Sequence, residues 1–142
     1  WNNKEFPALP TFEQLCAVSV ALNGVSLRKA GFGVTIHDAS EGDLVYFDPP
    51  YVPLTETANF TSYTVQGFDD AGQIAVAHAF RELTRKGVNV MASNHATPQI
   101  KDLYQGLGIA NMNITEIPAR RSVNRDGDGR GAVMEVLIRN FN

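Results

Sequence analysis

Gly42-Asp43-Leu44-Val45-Tyr46-Phe47-Asp48-Pro49-Pro50-Tyr51 is the stretch on which the fold of this chain turns. Its middle, Leu44 to Phe47, is a continuous apolar run between two turn-forming ends, which predicts a buried strand of the kind found in parallel sheets. The strand ends in Asp-Pro-Pro-Tyr. In open α/β sheets ligands bind beyond the carboxyl ends of strands, so the position of this tetrapeptide is itself informative. Pro49 and Pro50 stiffen the backbone and offer no N–H. The carbonyls of Asp48 and Pro49 therefore stand beside the Asp48 carboxylate as acceptors. Such a cluster suits a planar amine with two N–H donors, and Tyr51 adds an aromatic face for a planar ring. Four residues also recur by chance, and a rigid turn with Asp48 as a surface carboxylate explains the tetrapeptide alone equally well.

Outward from this stretch, helical and strand patterns alternate. Pro7 and Pro10 keep the opening residues irregular. Thr11 is an N-cap candidate for a helix to about Asn23, with Phe12, Leu15, Cys16, Ser19 and Leu22 along one side. Val25 to Arg28 is a short strand candidate, and Val34 to Ser40 a helical turn. Val52 to Gly67 is polar and aperiodic, a long loop of the sort that is usually functional. Asp69 to Lys86 is the clearest helix, with Ile74, Ala77, His78, Phe80, Arg81 and Leu83 at helical spacing and Gly87 after its end. Val88 to Ala92 is a second buried strand. Thr97-Pro98 opens a helix to about Leu107. Ile114 to Ile117 and Val133 to Arg139 are strands joined by a basic, Gly-rich loop, Arg120 to Gly131. The pattern predicts an α/β fold with a mostly parallel sheet and an antiparallel edge made by the last two strands.

The chain has 142 residues, the size of one domain or part of one, with ordinary globular composition: 44% hydrophobic and 19% charged. No apolar run approaches the roughly 18 residues that span a bilayer, and no signal peptide opens the sequence. One cysteine, Cys16, forms no internal disulfide and reads as a core residue, which suits a reducing, cytoplasmic setting. The first residue is Trp1 rather than Met, as expected of a chain cut from something longer. The net charge of −3 argues against a dedicated nucleic-acid binder, but it is unevenly distributed. Residues up to Phe80 carry a balance of −6 and those from Arg81 onward +3, so a local basic surface belongs to the second half. His37, His78 and His95 lack metal-ligand spacing. Asn124 to Glu135 matches a calcium-loop pattern numerically, but no helix precedes it and a strand follows. A hairpin turn rich in Asp and Gly is the simpler reading, and no metal is expected.

The Asp-Pro-Pro-Tyr stretch resembles the motif of amino-group methyltransferases, and the residues around it narrow the resemblance. Gly42 to Leu54 with Thr57-Ala58-Asn59-Phe60-Thr61-Ser62-Tyr63 is similar to the Dam-like group of adenine-specific DNA methyltransferases. So are Ala92-Ser93-Asn94-His95-Ala96-Thr97, Arg120-Arg121-Ser122-Val123-Asn124 and Glu135 to Asn140, in the family's order. The resemblance implies a Rossmann-like methyltransferase sheet and transfer of a methyl group from S-adenosylmethionine to the exocyclic amine of adenine in double-stranded DNA. By the same resemblance Asp48, Pro49, Pro50 and Tyr51 form the catalytic motif, the first two binding the amine and Tyr51 stacking on a flipped base. Asp48 and Phe32 contact the cofactor, although Gly31 stands where the family has an acidic residue beside the aromatic one. Asn59, Phe60 and Tyr63 lie in a loop that closes over DNA, and Arg120, Arg121 and Arg125 meet phosphates. For the arginines a solvated charged loop is an equal alternative.

The family's Gly-rich first turn has no counterpart in the sequence, and of its target-recognition insert only residues 1–11 resemble a remnant. The expectation is therefore the C-terminal part of a catalytic domain, lacking the first two strands of the sheet and turning over poorly alone. The Leu44 strand is then an open apolar edge, suited to the missing N-terminal part or another copy of the chain. Two other readings stand beside this one. One is a non-catalytic binding module that kept the fold; the other is a methyltransferase for a different amine, in cytosine, RNA adenine or a glutamine side chain.

Overall fold

The computed structural model of the chain describes residues 9–54, 68–120 and 132–142. The chain divides into two compact units, Trp1–Ala30 and Gly31–Asn142.

The described part of the first unit is one helix, α1 (Phe12–Ala21). Thr11 caps it: its hydroxyl accepts from the Gln14 N–H while the Gln14 side chain accepts from the Thr11 N–H. No residue of α1 is buried, and Cys16 is exposed rather than part of a core. Among the described residues of this unit there is no second element for the apolar side chains to pack on. The strand expected over Val25 to Arg28 is absent; those residues are irregular. A strand needs a ladder partner for its backbone groups, and no described strand pairs with this segment.

The second unit carries the sheet. Its elements in order are α2 (Val34–Asp38), β1 (Leu44–Phe47), α3 (Asp70–Arg85), β2 (Asn89–His95), α4 (Pro98–Gln105), β3 (Asn113–Arg120) and β4 (Ala132–Arg139). The strand order is β1-β2-β4-β3. β1 and β2 pair in parallel, with Leu44 opposite Asn89 and Phe47 opposite Ala92. β4 runs antiparallel to both β2 and β3. Three strands thus point one way, and the reversed strand lies between β2 and β3 rather than at the rim. The edge pairing is antiparallel, as expected. Pro118 explains the insertion: without an N–H it suits an edge strand, so β3 takes the rim and the fully apolar Val136 and Ile138 take the interior.

One face of the sheet packs on α3 and α4. Val90, Ala92, Val136 and Ile138 meet Val76, Ala77, Phe80, Leu83, Ile100 and Tyr104 in a continuous buried cluster. Phe80 and Tyr104 pack edge to face with centroids 5.4 Å apart, and burial pushes the Tyr104 phenol well above its usual pKa. The buried stripe of α3 is turned one position from the one read in sequence. Gln73 is buried and Ile74 is 45% exposed. Polar interactions of Gln73, described below, account for that rotation.

The register of β1 against β2 is set where the two strands begin. Gly87 adopts φ +76°, and a Cβ there would meet the Glu41 side chain at 2.9 Å. Its carbonyl accepts from the Gly42 N–H, and Asn89 N–H donates to the Asp43 carbonyl at 2.8 Å. Asn140 locks the other side of β2, its Oδ1 accepting from Val90 N–H at 2.7 Å. Among the described residues β1 has no strand on its outer side, and Leu44 and Tyr46 are more than half exposed. No described helix is long and apolar enough to cross a membrane.

Candidate active site

β1 and β2 end together, so parallel pairing sets Asp48-Pro49-Pro50-Tyr51 beside Ser93-Asn94-His95. The period-two alternation of strands then sorts these side chains between the two faces. Asn94 faces α3 with Ala92 and Phe47, while Tyr46, Ser93 and His95 share the opposite face.

On the α3 side a hydrogen-bonded clamp holds the loop after β1. Gln73 Nε2 donates to the Pro50 carbonyl at 2.8 Å, and its Oε1 accepts from Asn94 Nδ2 at 3.0 Å. Asn94 Oδ1 accepts the Val52 N–H at 3.0 Å and the His95 N–H at 2.9 Å. His95 Nδ1 lies 2.6 Å from the Val52 carbonyl, where it donates as the protonated ring nitrogen. Gln73, Asn94 and Val52 are all nearly inaccessible to solvent. The Pro50 and Val52 carbonyls are thereby used up. No hydrogen bond from another described residue ends on the Pro49 carbonyl, which leaves it as an acceptor for a ligand.

On the other face the Tyr46 hydroxyl lies 2.8 Å from Ser93 Oγ, and Ser93 Oγ donates to Asp48 Oδ1 at 3.0 Å. Asp48 itself is exposed. Tyr51 packs edge to face with His95, centroids 5.0 Å apart, which fixes the tilt of its ring. Burial raises the Tyr51 phenol above its ordinary pKa, and the nearby Ser93 hydroxyl opposes the rise. The negative charges of Glu135 and Asp48 add to it. Asp48 on Ser93 and Tyr51 on His95 therefore share one corner, since Ser93 and His95 lie on the same face of β2.

Phe32 packs on the same strand end. Its half-buried ring packs edge to face on Phe47, the residue before Asp48, with centroids 6.2 Å apart. The Phe47 ring lies on the α3 face, while the next residue, Asp48, turns its carboxylate to Ser93 on the other. Asn59, Phe60, Tyr63, Arg121 and Arg125 lie outside the described residues. Arg120 is the last residue of β3, its backbone paired with Ala132. Glu135, the last position of the calcium-loop pattern, lies on β4 opposite Ile117 and His95, and the described residues hold no group of metal-ligating side chains. A cleft bounded by Gln105, Ile109, Met112 and Ile114 lies at the other end of the sheet, away from this corner.

Asn94 is the keystone of the clamp, which makes its removal costly. Asn94→Ala strands the buried Val52 N–H and Gln73 Oε1 without partners. Each loss carries about 1–3 kcal/mol. The expected outcome is a chain less stable by about 2–4 kcal/mol, seen as a lower urea midpoint at unchanged slope.

Known proteins match along most of the chain. The model of the D12 class N6 adenine-specific DNA methyltransferase family matches residues 15–123. A type II methyltransferase of Lactococcus lactis subsp. cremoris is 38% identical over 119 residues, which cover 84% of this chain and 40% of that protein. A DNA adenine methylase of Vibrio cholerae is 40% identical over 109 residues, 76% of this chain and 38% of the relative. A type II methyltransferase of Methanocaldococcus jannaschii is 36% identical over 131 residues, 91% of this chain and 44% of the relative. The chain thus spans about two fifths of the length of these curated relatives. With its Asp-Pro-Pro-Tyr corner at the end of a parallel strand, the chain belongs to the D12 class of N6 adenine-specific DNA methyltransferases.

Proposed function

We propose that this chain supplies the amine-binding part of a methyltransferase that modifies the exocyclic N6 of adenine in double-stranded DNA. The observation that carries the reading is the corner at the end of β1. An exposed Asp48 carboxylate, an unspent Pro49 carbonyl and the Tyr51 ring stand together over a loop clamped by Gln73 and Asn94.

The chemistry follows from the substrate. An aromatic amine is a poor nucleophile because its lone pair is delocalised into the ring. Two acceptors that take its hydrogens favour a pyramidal nitrogen and free that lone pair for attack. As the new N–C bond forms, positive charge develops on the nitrogen, and the Asp48 carboxylate stabilises it without needing to reorganise. No strong base is required beforehand, since the acidified proton leaves after transfer. S-adenosylmethionine, the donor implied by the family, supplies an electrophilic methyl on a sulfonium, with Phe32 and Asp48 as the side chains that the resemblance assigns to it. A base inside a duplex offers no such approach, so the target adenine is extruded and its ring rests on Tyr51.

The test is product identity. DNA incubated with the protein and isotopically labelled S-adenosylmethionine, then digested to nucleosides, is expected to carry label in N6-methyladenosine. For a chain expected to turn over poorly alone, even a weak signal in N6-methyladenosine supports the reading, and label in N4-methylcytosine overturns it.

A further inference from the structure

We infer that Ser93 is the positioning residue for the Asp48 carboxylate, and that its hydroxyl, set by Tyr46, decides which carboxylate oxygen meets the amine. The inference rests on the amine-binding reading of the corner and goes one step deeper into it.

Hydrogen counting fixes the direction of the relay. An ionised carboxylate only accepts, so the single hydrogen of the Ser93 hydroxyl points to Asp48 Oδ1, 3.0 Å away. Ser93 Oγ then has only lone pairs to offer Tyr46, and the 2.8 Å contact between them runs from the phenol to the serine. Ser93 Oγ thus gives its one hydrogen to Asp48 and receives one from Tyr46. It is 6% exposed and sits on β2, a rigid strand paired on both sides, while Asp48 lies on an exposed loop. The strand side chain therefore orients the loop side chain. Oδ1 is spent on Ser93, and Oδ2, on which no hydrogen bond from another described residue ends, is left for the substrate. Chains of this kind also polarise one another, so Tyr46 strengthens the bond that Ser93 gives.

Ser93 acts through Asp48 alone, which separates this role from a general structural one. The readout is discrimination for the amine: affinity for a duplex carrying the target adenine, against the same duplex with purine, which lacks the amine, at that position. Wild-type protein is expected to prefer adenine by about tenfold or more, the worth of a hydrogen bond to a charged group. Ser93→Ala is expected to cut that preference about three- to tenfold, Ser93→Thr to retain most of it, and Asp48→Asn to abolish it. Adding Ser93→Ala to Asp48→Asn is expected to change nothing further. Tyr46→Phe removes only a hydroxyl from a half-exposed side chain, so the fold survives it. It is expected to lower the preference about twofold, and to have no effect once Ser93 is alanine. A wild type without any preference overturns the amine-binding reading itself. A wild-type preference that Ser93→Ala leaves intact, or losses that multiply in the Asp48→Asn background, overturn the role of Ser93 alone.

Discussion

Replacing Asp48 by alanine is expected to lower the rate of methyl transfer by about a thousandfold, with little change in stability or in affinity for DNA that lacks the target amine. The size follows from the role. Removing one preorganised group aimed at charge that develops in a transition state costs about 10²–10³ in rate. Asp48 also gives the amine one of its two acceptors, which puts the loss at the upper end of that range. Stability is spared because Asp48 is exposed and its one hydrogen bond, from Ser93, is replaced by water. Affinity for such DNA is spared because phosphate contacts dominate it and a carboxylate makes none; only the roughly tenfold preference for the target adenine goes with the carboxylate. Single-turnover transfer and equilibrium binding, measured side by side, check both halves. A loss of affinity as large as the loss of rate shows that Asp48 acts in binding alone; an unchanged rate removes it from the chemistry.

Phe80→Ala carries the largest expected effect on stability, about 3–5 kcal/mol. Phe80 is wholly buried, lies on the stripe of α3 that faces the sheet and packs edge to face on Tyr104 of α4. Its removal opens a cavity between two helices and the sheet, where rigid strands on one side limit collapse. Domains of this size are held together by only about 5–15 kcal/mol, so the variant is expected to approach the unfolding threshold. The effect extends to the site, because α3 also carries Gln73, whose amide holds the Pro50 carbonyl. Urea titration followed by tyrosine and tryptophan fluorescence measures the shift. A loss below about 1 kcal/mol shows that the core yields around this position more than its packing implies.

The strand and turn that define the site were legible because they depend on local rules. Four apolar residues before Asp-Pro-Pro-Tyr read as a buried strand with a rigid end; β1 is that strand, but with no described strand on its outer side only Phe47 of the four is buried. α3, β2 and α4 likewise announced themselves by periodicity, by Gly87 and by Thr97-Pro98; the structure adds Asp69 as the cap that accepts from Gly72 N–H. Val25 to Arg28 shows the limit of the same rules. β-propensity marks a segment that fits a ladder, but only a partner supplies the ladder, and none of the described strands does. The insertion of β4 between β2 and β3 depends on long-range pairing, although Pro118 was a usable sign that β3 takes the rim.

The supporting residues were harder to see because their partners are far apart in sequence. Gln73 reads as a polar residue beside the apolar stripe of a helix. Only the fold shows that it lies on that stripe, satisfied by Asn94 and Pro50, which displaces Ile74 toward solvent. One sign was present: Ser93-Asn94-His95 places three polar residues at the end of an otherwise buried strand, where each must find a partner. Those partners are Asp48, Gln73 and Val52, between 21 and 45 positions away. Local pattern located the chemistry, and tertiary structure disclosed what holds it in place.

The most direct measurement is a crystal structure of the protein with duplex DNA and a non-reactive analogue of the methyl donor. The expected result is an adenine turned out of the helix, its ring against Tyr51, its exocyclic nitrogen about 2.7–3.2 Å from both Asp48 Oδ2 and the Pro49 carbonyl. An adenine bound elsewhere, or one whose amine turns away from position 48, contradicts the account.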